Sequence, residues 1–123
     1  MLSIFVEAIK QNKKLKVFDT GKQSRDFIDV QDVCDALLFG MKEEICADIY
    51  NVSSKTDISI LSIIEMLEKY LNRKLEIDFK DKVFNELENT LLDNSKLKSI
   101  GWNNKIDIND GIKTLLQYEG LIK

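Results

Sequence analysis

Arg25 lies in the run Asp19-Thr20-Gly21-Lys22-Gln23-Ser24-Arg25-Asp26-Phe27-Ile28-Asp29-Val30, between a glycine turn and a short apolar stretch. Gly21 permits a turn that most residues resist. Phe27-Ile28-Asp29-Val30 is predicted as a brief strand, and Asp32 with Asp35 places negative charge in the first turn of a following helix. A guanidinium held on ordered backbone can grip a phosphate through two parallel hydrogen bonds. The chemistry this arrangement suggests is binding of an anionic ligand.

Other chemistries are closed by composition. The chain of 123 residues contains no histidine, and its two cysteines, Cys34 and Cys46, form no CxxC pair. Zinc sites of the usual Cys/His type, nucleophiles paired with histidine and histidine bases therefore lack a required residue. Both thiols are expected to be free and structural. The five glycines, at 21, 40, 101, 111 and 120, do not reproduce the glycine triplet of a dinucleotide loop. Tyr70 and Lys74 have the four-residue spacing of a tyrosine base and its lysine, but they end an ordinary amphipathic helix and are expected to be structural. Asp107-Ile108-Asn109-Asp110-Gly111 begins like a calcium loop, yet its fifth position is Gly111 and its twelfth Tyr118, so the ligand set fails.

The elements that must position Arg25 follow from periodicity. Leu2 to Gln11 is predicted as a helix, Lys16-Val17-Phe18 as a strand, and Asp32 to Glu44 as the next helix. Ala47 to Val52 is expected as a strand, Ile60 to Leu71 as a helix capped by Ser59, and Leu75 to Phe79 as a half-buried strand. Thr90 to Leu92 is expected as a short strand, followed by a small helix from Asn94 to Gly101. Asp107 and Asp110 suit the start of a terminal helix carrying Ile112, Leu115 and Leu116. Nothing divides the chain, so 1–123 is expected as one domain, of a size that hides about two-thirds of its unfolded surface.

One helix fits a self-contained domain badly. From Val33 to Met41 its only charged residue is Asp35, so Val33/Leu37 and Cys34/Leu38/Met41 form two apolar faces. Leaving the second in water would forgo roughly 3 to 8 kcal/mol of burial. Such a face is expected to meet something beyond this chain's own core.

With 18 basic and 21 acidic residues and a formal net charge of −3, the chain has no basic face for nucleic acid. It carries neither a membrane-length apolar run nor a signal-like start, and a cytoplasmic location is expected.

Taken together, the motifs resemble the C-terminal portion of the NAD-dependent nucleotide-sugar epimerase/dehydratase family, the extended short-chain dehydrogenases. That family carries Gly-Asp-Gly-x-Gln-x-Arg-Asp-Phe-Ile-Tyr-Val-x-Asp-Val where this chain has its glycine turn. Ile49-Tyr50-Asn51-Val52, Ser59-Ile60-Leu61, Thr90-Leu91-x-Asp93-x-Ser95-Lys96 and Ile100-Gly101-Trp102 follow in the family's order.

The resemblance implies an α/β fold: a small substrate-binding domain with mixed short strands and about five helices, lacking the Rossmann N-terminal part. It implies that Phe18 meets a nucleotide base, either there or as plain core packing, and that the neighbouring Lys16 offers backbone bonds to it. Arg25 would bind pyrophosphate, and Lys82 would stand in for a second arginine. It further implies a nucleoside-diphosphate sugar as ligand, NAD as cofactor of the whole enzyme but none held by this chain, and no catalytic residue here. The parent reaction would begin with hydride transfer from sugar to NAD, with a tyrosine base outside this chain. Asp19 in place of a glycine and Asp29 in place of an aromatic or histidine depart from the pattern, and Asp29 is expected to add negative charge near the bound diphosphate. Two states are expected: a substrate-binding fragment awaiting its Rossmann portion, or a noncatalytic remnant that forms a homodimer or docks on a partner.

Overall fold

The computed structural model describes every residue except 43, 46 and 83–88. Cys46 and most of the Lys82 to Glu86 stretch therefore lie outside the described residues. The elements in order are α1 (Leu2–Lys10), β1 (Leu15–Phe18), β2 (Ser24–Asp26), α2 (Val30–Gly40), β3 (Asp57–Ser59), α3 (Ile60–Leu71), β4 (Ile77–Lys80), β5 (Asn89–Thr90), α4 (Ser95–Ser99) and α5 (Ile108–Tyr118). β1 and β4 form a parallel pair, while β2 lies between antiparallel β3 and parallel β5.

Helix ends follow their caps. Ser59 Oγ accepts the Ser62 N–H at 3.1 Å and starts α3 at Ile60. Asp107 Oδ1 accepts from the N–H groups of Asn109 and Asp110 at 2.7 and 3.1 Å and starts α5. Gly101, with φ of 105°, follows the close of α4, as a C′ glycine should.

Two predicted strands are corrected. The strand expected at Phe27 to Val30 lies three residues earlier, at Ser24–Asp26, where β3 and β5 supply ladder partners. Asp29 is instead the N-cap of α2: its Oδ1 accepts the Gln31 N–H at 2.8 Å, so the helix begins at Val30 rather than Asp32. Residues 47 to 52 form no strand among the described residues. Side-chain bonds to the α4 region hold this segment in place of a ladder, Lys96 Nζ donating to Ile49 O at 3.0 Å and the segment's own Asn51 Nδ2 to Asp93 O at 3.1 Å.

The apolar residues divide into two clusters. The larger joins Phe5 and Ile9 of α1, Leu15 and Val17 of β1, Ile63 and Leu67 of α3, and Ile112 and Leu116 of α5. The smaller consists of Ala36, Leu97 and Trp102, with Phe39, Tyr50 and Val52 packed against it. Only one side of α2 is covered. Leu37 and Leu38 are each 65% exposed and Met41 78%, so both Leu37 and the Cys34/Leu38/Met41 face stand in solvent.

Candidate functional site

The site is built on the hairpin-like passage from β1 to β2. The Asp19 and Gly21 backbones, with φ of 53° and 71°, reverse the chain. Asp19 thus adopts the left-handed conformation that a glycine would take most easily, and aspartate tolerates it better than most side chains. Gly21 has a second reason to be glycine: an added Cβ would sit 3.0 Å from Leu61 Cγ and Val17 Cγ1. The turn is then fastened to the start of α3, with Leu61 N donating to Gly21 O and Ile60 N to Gln23 O, both at 3.1 Å.

β2 is the central strand of its sheet, so Arg25 is held by backbone partners on both sides, Ile58 and Thr90. Successive strand residues point to opposite faces. Asp26, on the face away from Arg25, accepts from Ser54 N–H and Oγ at 3.1 and 2.7 Å and from Leu92 N–H at 3.3 Å. Arg25 Nη1 donates to Ser24 O at 2.8 Å, which orients the guanidinium.

Lys16, Phe18 and Arg25 line one cavity of about 470 Å³. Its floor is the buried core residues Phe5, Val17 and Ile60, and its rim includes Met1 and, from α1, Ile4. Phe18 is 41% exposed and is not among the buried core residues of this chain. Gln23 and Phe27 also line the cavity and were not singled out by sequence; the five-residue step from Phe18 to Gln23 across a glycine turn was the available signal. Gln23 Nε2 donates to Phe18 O at 2.9 Å, while its Oε1 is buried without a partner. An unsatisfied buried acceptor of this kind costs about 1–3 kcal/mol.

Among the described residues β1 also presents an open backbone edge. The N–H groups of Leu15 and Asp19 donate to Glu76 O and Lys80 O of the β4 side, each at 2.8 Å. In a parallel ladder the bonding direction alternates along the strand. The backbone groups of Lys16 and Phe18 therefore point away from β4.

Two expected contributors lie elsewhere. Lys82 Nζ is 3.9 Å from Asp19 Oδ2 and is not part of the cavity wall. Asp29, expected to burden the anion site, caps α2 and faces Gly111 in a separate cleft of about 180 Å³. Nor do Tyr70 and Lys74 share a helix face, because α3 ends at Leu71 and Asn72 turns left-handed with φ of 51°. Lys74 instead bonds Glu68 at 2.6 Å, which holds that carboxylate below its usual range and raises the lysine.

The turn after β1 leads into β2 rather than a helix, and β3 passes into α3 through Ser59 and Ile60 with no glycine. These residues do not fit a dinucleotide pyrophosphate, which needs close backbone approach at a helix start. No group of three potential metal ligands occurs among the described residues, and no described helix is long and apolar enough to cross a membrane.

Comparison with known proteins places this geometry. The profile described as NAD dependent epimerase/dehydratase family matches residues 1–53. An uncharacterized protein of Methanocaldococcus jannaschii is 31% identical over 110 residues, covering 89% of this chain and 34% of that protein. The dTDP-4-dehydro-6-deoxyglucose reductase of Escherichia coli is 26% identical over 118 residues, 95% of this chain and 37% of the reductase. A UDP-glucuronic acid 4-epimerase variant from Bacillus cereus, solved with UDP-4-deoxy-4-fluoro-glucuronic acid and NAD, superposes with a TM-score of 0.86 at 27% identity. The match covers 95% of this chain and 38% of that one. The chain spans little more than a third of the length of the relatives it matches.

The five helices and two short sheets of the described residues, superposing in this way, are the α/β fold of one portion of an extended short-chain dehydrogenase. By sequence and fold together, the chain is related to the NAD-dependent epimerase/dehydratase family.

Proposed function

We propose that this chain is the substrate-holding portion of an NAD-dependent nucleoside-diphosphate-sugar epimerase or dehydratase. The observation that carries the proposal is the convergence of Lys16, Phe18 and Arg25 on one cavity. Arg25 meets the pyrophosphate, the Phe18 ring provides an apolar face for the base, and the open β1 edge supplies backbone bonds. Along that edge the Lys16 carbonyl precedes the Phe18 N–H, an acceptor followed by a donor. Uracil and thymine present the complementary ring N–H beside a carbonyl. The UDP and dTDP sugars in the names of relatives support that choice.

Within the cavity no tyrosine base stands beside a lysine, so the isolated chain is proposed to bind without catalysing. NAD and the proton-transfer residues belong to the part of the enzyme outside this chain. Titration of the 123-residue chain with UDP and dTDP tests the reading, and Arg25→Ala should weaken binding about tenfold or more. Absence of a saturable signal for either nucleotide would overturn it.

A second reading rests on the uncovered α2 face of Cys34, Leu37, Leu38 and Met41. Apolar patches of this kind are association surfaces. The face is proposed to receive the remaining portion of the enzyme, or in its absence a second copy of the chain. Light scattering should then find dimers or larger species; a stable monomer at high micromolar concentration rejects the self-association.

A further inference from the structure

We propose that Gln23 is a positioning residue for nucleotide base recognition, acting through Phe18; this rests on the reading of the cavity as a nucleotide site. Among the described residues β1 is paired on one side only, so nothing described in its ladder holds the backbone of its last residue on the open side. Gln23 supplies that restraint. Its own backbone is fixed to the start of α3 by the Ile60 N–H at 3.1 Å, and its side chain reaches five residues back to donate to Phe18 O at 2.9 Å.

The amide orientation is set by chemistry. A carbonyl can only accept, so the nitrogen must face Phe18 and the oxygen must take the other position. There Oε1 is buried with no partner. The Gly21 N–H also reaches Phe18 O, at 3.4 Å, so two donors converge on this one carbonyl.

The consequence for the edge is specific. Lys16 N–H, Lys16 C=O and Phe18 N–H remain outward, whereas Phe18 C=O is occupied by Gln23. The edge therefore reads donor, acceptor, donor, the complement of the acceptor, donor, acceptor face of uracil or thymine. It also fixes the peptide from which the Phe18 ring projects into the cavity. Arg25, on a different strand with its own partners, does not depend on this restraint.

The test separates base from phosphate. Gln23→Met keeps the size of the side chain while removing both the bond to Phe18 and the unpaired oxygen; Gln23→Leu removes the same two features with a shorter apolar side chain and adds no charge beside Arg25. Affinities of wild type and both variants are measured for UDP and for inorganic pyrophosphate. The expected result is a loss of about fivefold to tenfold for UDP in either folded variant, with pyrophosphate affinity unchanged. Equal losses for both ligands would show a merely structural role and overturn the inference. Unchanged UDP affinity would overturn it too, leaving the nucleotide site standing. Failure of the wild type to bind either ligand would instead reject the nucleotide site, and the inference with it.

Discussion

The carboxylate of Asp32, 2% exposed at the start of α2, accepts the backbone N–H of Lys105 at 2.9 Å, and that of the following Ile106 at 3.0 Å. One side chain thereby ties α2 to the approach of α5, more than seventy residues away. Asp32→Ala removes both acceptors and leaves two N–H groups unpaired. The expected destabilisation is about 2–4 kcal/mol, measured by urea unfolding. Asp32→Asn, which retains one acceptor oxygen, should lose about half as much.

The glycine turn offers a paired comparison. Gly21→Ala forces a side chain into a left-handed backbone and within 3.0 Å of Leu61 and Val17. A loss of about 2 kcal/mol or more is expected, together with weakened nucleotide binding. Gly120→Ala meets the same backbone strain, with φ of 69°, but open space. It should cost about 1 kcal/mol and leave the cavity unaffected. Thermal unfolding of the two variants checks the difference.

Acid should act mainly through carboxylates that are bonded when folded. Asp93 lies well below its ordinary value because the Ser95 hydroxyl, the Lys55 ammonium and the Ser95 N–H all bond its charged form. Glu68 is lowered by Lys74 and the Leu75 N–H, and Asp48 by Lys96 and the Ile49 N–H. The unfolded chain takes up protons at these groups before the folded chain does. Stability is therefore level above about pH 5 and falls as pH drops below about 4. Melting temperature followed across that range should show the decline, and Asp93→Asn should make it shallower.

The α2 face predicts a substitution that changes association without changing the fold. Leu38 is 65% exposed. Leu38→Lys should alter stability by less than about 0.5 kcal/mol while lowering the apparent mass in light scattering. An unchanged mass would remove this face from the association.

Legibility tracked how local each determinant is. α3 was readable from its period and from Ser59, because the cap and the apolar stripe lie within the same few residues. The strand at Phe27 to Val30 was misplaced because the alternation there competes with capping by Asp29, and only the positions of β3 and β5 show where a ladder can form. Ala47 to Val52 reads as β by residue type, but a strand also needs a partner, and none is present among the described residues. In the site, Arg25 and Phe18 were visible as residue types in a spaced motif, whereas Gln23 became visible only through its bond across the turn. The position of Lys82 beside Asp19 depends on a tertiary approach that no local pattern encodes.

Trp102, the chain's only tryptophan, belongs to the smaller cluster beneath α2. Its indole nitrogen is buried with no hydrogen-bond partner, and Phe39 of the same helix packs against that cluster. The protein thus carries one tryptophan, beside the uncovered face of α2 and outside the lining of the cavity of Lys16, Phe18 and Arg25. Its emission can follow assembly without a label while nucleotide binding is followed independently.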